Sequence, residues 1–159
     1  MPLLLHTVRQ NRWLKDEARP WLENGDVPAD ALSDLRTSQN ELSVWEVAAD
    51  RSNLERIVRA LVITRQDIAH TGFVLFESEW LGAIGIAVSA DRPGKTPDEG
   101  ANAWHRDLID LSGNKLVALT KTILERGDSG TVLKKRLYEL VEAGIREKQL
   151  PEKFRSMIK

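Results

Sequence analysis

The hydrophobic pattern changes period several times along the chain. Residues 3–8, LLLHTV, form a short apolar run that reads as a strand near the terminus. Residues 41–48, ELSVWEVA, alternate: Leu42, Val44, Glu46 and Ala48 point one way, and Ser43, Trp45 and Val47 the other. A period of two predicts a strand, here with both faces partly covered. From residue 52 the period lengthens. Leu54, Ile57, Val58, Leu61 and Val62 recur at helical spacing, and Ile68 and Ala69 continue the stripe. Ser52 and Glu55 have the spacing of a capping box, and Gly72 supplies a left-handed stop, so a long central helix is predicted over 52–70. Residues 73–90, FVLFESEWLGAIGIAVSA, are apolar and β-prone on both sides of a polar ESE. They predict a hairpin with strands near 73–77 and 80–89, in which Gly82 and Gly85 mark a bulge or a close backbone approach.

The last third reads as helical. Leu116, Val117, Leu119, Thr120, Ile123 and Leu124 make one amphipathic stripe, ended by Gly127. GDSG then reads as a turn, Thr131 as a cap, and Leu133, Leu137, Leu140, Val141 and Ile145 as a second stripe limited by Pro151. Nearer the start, Trp13 and Trp21 flank Pro20, which argues against one continuous helix; an irregular segment or a short helix is expected. Pro28 opens about two helical turns in ADALSDLRT. Together these elements predict one α+β domain over 1–159, with a small antiparallel or mixed sheet of about four strands, a long central helix and a C-terminal helical hairpin packed on one face.

Residues 101–111, ANAWHRDLIDL, read as a further helix after Gly100, with Ala101, Trp104, Leu108 and Leu111 as its apolar stripe. At 100° per residue His105 and Asp107 then lie about 160° apart, on opposite flanks. His105–Leu108 spell the His-Arg-Asp-Leu that opens a protein-kinase catalytic loop, but Ser112 stands where that loop needs its Asn, and no Gly-rich loop or Asp-Phe-Gly accompanies it. The match ends after four residues and carries no function.

Composition narrows the chemistry. The absence of cysteine removes thiolate metal sites, disulfides and a cysteine nucleophile. His6, His70 and His105 are the only histidines and show no metal-ligand spacing, so neither a metal nor a cofactor is expected. The apolar run at the start is too short for a signal peptide, and no stretch reaches membrane-span length; a cytoplasmic protein with no membrane partner is expected. Charge is uneven: residues 1–112 carry −6 and residues 113–159 carry +5. Lys134, Lys135 and Arg136 are therefore candidates for nucleic-acid contact through the C-terminal helices. Acids are interleaved with these bases, which favours a solvated helix face instead.

Candidate catalytic residues, for a small hydrolase or nuclease, are His105 with Asp107, and the carboxylates Glu77 and Glu79, two apart. The polar loop DRPGKTPDEG holds Arg92 and Lys95, and its prolines argue against a phosphate cradle. Trp13 and Trp21 are the tryptophans expected to lie exposed and, with Arg92 and Lys95, are the candidate binding residues. These residue types favour a non-enzymatic protein-interaction module, an accessory, regulatory or immunity-like subunit that binds another protein or itself as an oligomer.

Overall fold

Alternating side chains on six strands divide the apolar residues between two cores. The computed structural model describes residues 2–159. Its strands are β1 (Leu3–Val8), β2 (Leu42–Val47), β3 (Thr71–Glu77), β4 (Ala87–Ser89), β5 (His105–Ile109) and β6 (Asp128–Val132). They form one open sheet in the order β4-β5-β2-β1-β3-β6, with every pairing antiparallel. On one face Leu4, Leu42, Val44, Val74, Phe76 and Leu108 meet Ala18 of α1 (Lys15–Glu23), Ala31 of α2 (Ala29–Asp34) and Leu119 and Ile123 of α5 (Gly113–Arg126). On the other, Leu5, Trp45, Val47, Phe73 and Leu75 meet Ile57 and Val58 of α3 (Leu54–Val62) and Leu137 and Val141 of α6 (Lys134–Arg146). The short α4 (Trp80–Ala83) follows β3. Among the described residues no helix is long and apolar enough to cross a membrane.

The strand expected over residues 3–8 and the two-faced strand within 41–48 are both present. Other expectations are corrected. The sheet has six strands rather than about four, and helices cover both faces rather than one. The central helix stops at Val62, where the Thr64 hydroxyl donates to the Leu61 carbonyl at 2.6 Å and competes with further helical bonding. No capping box forms. Asn53 is the N-cap residue and its side chain instead ties the Ala48 N–H and the Glu46 carbonyl, while Glu55 turns outward to Arg136.

The expected hairpin at 73–89 is interrupted. Residues 80–83 coil into α4, Gly85 at φ +71° reverses the chain, and β4 pairs with β5 instead of β3. The expected C-terminal hairpin is split by a strand. Residues 128–132 pair with β3, and α5 and α6 lie on opposite faces of the sheet. Gly130 is a strand residue because Phe73, directly across, lies over it: a Cβ there would stand 2.6 Å from the ring.

Residues 101–111 are not a helix. Ala101–Trp104 form one 3-10 turn, and the chain then extends as β5, with Leu108 opposite Leu42. Asp110 adopts φ +53° and swings Leu111 back into the core that holds Leu108. The spacing that imitates a helical stripe arises from a turn, a strand and a kink in sequence.

Candidate functional site

Extended backbone places residues two apart on the same face, so His105 and Asp107 project together from β5. Opposite them on β2 stand Trp45 and Ser43. The His105 ring meets the Trp45 ring edge-on, with centroids 5.3 Å apart. Its Nδ1 lies 2.9 Å from the Arg92 carbonyl, which can only accept, so Nδ1 carries a proton. Its Nε2 faces Asp107 Oδ1 at 3.5 Å. Asp107 also accepts from Ser43 Oγ at 3.4 Å and from Arg92 Nε at 3.1 Å, and Arg92 Nη2 stands 3.0 Å away. The helix-based separation of His105 and Asp107 is thus overturned: strand geometry brings the imidazole and the carboxylate side by side.

Loop 91–100 covers this pair and is fastened along its length. Arg92 bridges Asp107 and Glu41, and those two carboxylates hold its charge above the ordinary guanidinium value. Gly94 lies against Trp45, where a Cβ would stand only 2.3 Å from the indole ring, so a glycine is required there. Asn102 accepts from the Thr96 backbone and hydroxyl through Oδ1, at 2.9 and 2.7 Å. At the far end Asp98 is fully buried and accepts from Arg56 Nε at 2.8 Å, Arg56 Nη2 at 2.7 Å and Arg59 Nη2 at 2.7 Å. The result is a cleft of about 530 Å³ whose lining includes Arg92, Lys95, His105, Asp107, Glu41 and Ser43.

The structure gathers Arg92, Lys95, His105 and Asp107, drawn from separate sequence readings, into one place. It does not gather the rest. Glu77 ends β3 and Glu79 precedes α4; a hydrogen bond with Glu79 raises the Glu77 carboxyl above its usual value, and neither residue lines the cleft. Trp21 is exposed, as expected, at 48%. Trp13 is corrected: it is buried at 4% because its indole N–H donates to Asp34 at 3.1 Å while its ring packs in the core. Arg136 is taken up by Glu55 and Glu139, and Lys134 lies over the Tyr138 ring, so only Lys135 of the basic trio lacks such a contact among the described residues. No group of three or more His, Cys, Asp or Glu side chains able to hold a metal occurs among the described residues.

His6 stands at the cleft margin, with Nδ1 2.9 Å from the Ser43 carbonyl and Nε2 3.3 Å from the Asp34 carbonyl. A neutral ring has one N–H, and the shorter contact assigns it to Nδ1. Burial lowers the His6 value below the usual 6.5, outweighing the two carbonyls, which favour the charged ring. The unfolded chain therefore binds a proton that the folded chain resists. This contribution to stability is expected to be undiminished above pH 6.5 and to be lost progressively as pH falls towards the lower folded value. Urea unfolding followed from pH 7.5 to 5 checks this, and His6→Gln is expected to flatten the profile in that window.

No family model, curated protein or solved structure matches this chain.

Proposed function

We propose that the chain is a non-enzymatic recognition module that receives an acidic group of a protein partner in the cleft beneath loop 91–100. The supporting observation is that the catalytic-looking groups are turned toward one another and toward Arg92. Nδ1 of His105 is committed to the Arg92 carbonyl, Nε2 faces Asp107, and the Asp107 oxygens are shared among His105, Ser43 and Arg92. A general base must reach the substrate proton directly or through one water. Here the imidazole and carboxylate instead orient a guanidinium. Arg92 keeps Nη1 unused, and Lys95 and Arg36 have no carboxylate partner among the described residues, so the donors left facing outward are cationic.

The test pairs a binding readout with a turnover readout. A glutamate-rich peptide is expected to perturb amide resonances of residues 92–96 and 105–107, and Lys95→Glu to weaken its binding by about tenfold. Nitrophenyl esters and phosphate esters are expected to turn over no faster with the wild-type chain than with His105→Ala. Hydrolysis that disappears in His105→Ala would establish the rival reading, a small hydrolase.

A further inference from the structure

Arginine pairing is uneven across the molecule. Of the fourteen arginines in the sequence, nine form ion pairs among the described residues. Of the other five, Arg126 lies over the Trp80 ring and Arg146 is an exposed residue of α6. The remaining three, Arg9, Arg36 and Arg65, all line one cleft of about 720 Å³ beside the end of β1. None of these three exposed arginines has a carboxylate partner among the described residues, so this concave surface collects unpaired positive charge.

Two uncharged side chains of this cleft, His70 and Gln10, also offer donors. The Lys134 backbone N–H donates to His70 Nδ1 at 2.8 Å; that nitrogen is therefore bare, and a neutral His70 ring carries its proton on Nε2. Thr131 donates its hydroxyl to Gln10 Oε1, which orients the amide and leaves the Gln10 NH₂ without a partner among the described residues. Asp34, the sole carboxylate of the lining, already accepts from the Arg9 backbone N–H at 3.0 Å and from Trp13 at 3.1 Å. Arg65 is an exposed residue whose one side-chain contact among the described residues is the Thr71 hydroxyl, at 3.4 Å, and partial desolvation lowers its guanidinium below the ordinary value.

We propose that this second cleft binds a small molecule bearing a phosphate or diphosphate group, held by the guanidinium groups of Arg9, Arg36 and Arg65 with His70 as an additional donor. Guanidinium forks match phosphate oxygens in pairs, and the volume leaves room for an organic portion beyond the oxyanion. The site is separate from the acidic-group cleft, with which it shares only His6 and Arg36.

Inorganic pyrophosphate is the probe, titrated into the ¹⁵N-labelled chain at constant ionic strength. Saturable shifts are expected at Gly72, Thr131 and the Arg65 side chain, and Arg65→Ala is expected to weaken binding by about tenfold or more. Lys95→Glu, which alters only the neighbouring cleft, is expected to leave pyrophosphate binding intact. The proposal is overturned by any of three results: no saturable shift at millimolar pyrophosphate, wild-type affinity in a folded Arg65→Ala, or citrate binding equally well. An oligothymidylate that binds more tightly with each added nucleotide, while pyrophosphate does not bind, would overturn it in favour of a nucleic-acid strand.

Discussion

Asp98→Asn is expected to lower the free energy of unfolding by about 3–5 kcal/mol, seen as a lower urea midpoint at an unchanged slope. The substitution preserves side-chain volume and removes the charge. In the native chain the carboxylate is fully buried and accepts from Arg56, Arg59 and the Ala101 backbone N–H. Arg59 cannot escape to water once that charge is gone. Its side chain is 4% exposed, and α6 closes over it so tightly that a Cβ on Gly144 would stand 2.5 Å from its Nη1. Arg56, 30% exposed on its side chain, can turn outward, so Arg56→Ala is expected to cost less. Burial acts to raise the Asp98 carboxyl, but the hydrogen bonds from Arg56 and Arg59 outweigh it and hold the group below its usual 3.8. Its contribution is therefore complete above that value and is lost as pH falls through the lower folded value. Acid unfolding monitored alongside the urea series is expected to show this component in the native chain and not in Asp98→Asn. A loss of less than about 1 kcal/mol would mean that Arg59 finds other partners.

The sequence reveals the parts of this fold where one periodicity acts alone. The strands at 3–8 and within 41–48, and the apolar stripe of α3, are readable because their alternation or helical spacing matches the burial that follows. Reading fails where different local structures follow one another within a few residues. Ala101, Trp104, Leu108 and Leu111 keep a helix-like spacing, yet a 3-10 turn, a strand and a positive-φ Asp110 produce it. Gly130 reads as a turn because the ring that fills its missing side-chain volume comes from a strand 57 positions earlier in the chain. Candidate-site residues were legible as residue types: His105 with Asp107 in one motif, and Arg92 with Lys95 in a polar loop. Their convergence was not, since it depends on the pairing of β5 with β2. Glu41, Ser43, Arg36 and Arg65 carry no local signal and enter only through topology. The Asp98–Arg59 pair spans 39 residues, and its one sequence hint is Arg59 lying between Val58 and Ala60 in the most apolar part of its helix.

Asp107→Ala is expected to separate the two roles open to the His105–Asp107 pair. Removing the carboxylate leaves the Ser43 hydroxyl and Arg92 Nε without their buried charged acceptor, a loss of about 1–3 kcal/mol in unfolding free energy. It also leaves Arg92 bound to Glu41 alone, so the loop loses its inner fastening while the Asp98 end remains held. Amide hydrogen exchange is expected to accelerate at Gly94, whose N–H donates to the Asn102 carbonyl at 2.9 Å, and at Thr96, and to remain slow in β1 and β3. If the pair orients Arg92, binding of the glutamate-rich peptide weakens in step with that loosening, and Glu41→Gln, which removes the other support of the same guanidinium, weakens it as well. If the pair instead transfers protons, Asp107→Ala abolishes ester turnover while Glu41→Gln leaves turnover unchanged. The two variants act on one guanidinium from opposite sides, so agreement between them points to a positioning role and disagreement to chemistry at the imidazole.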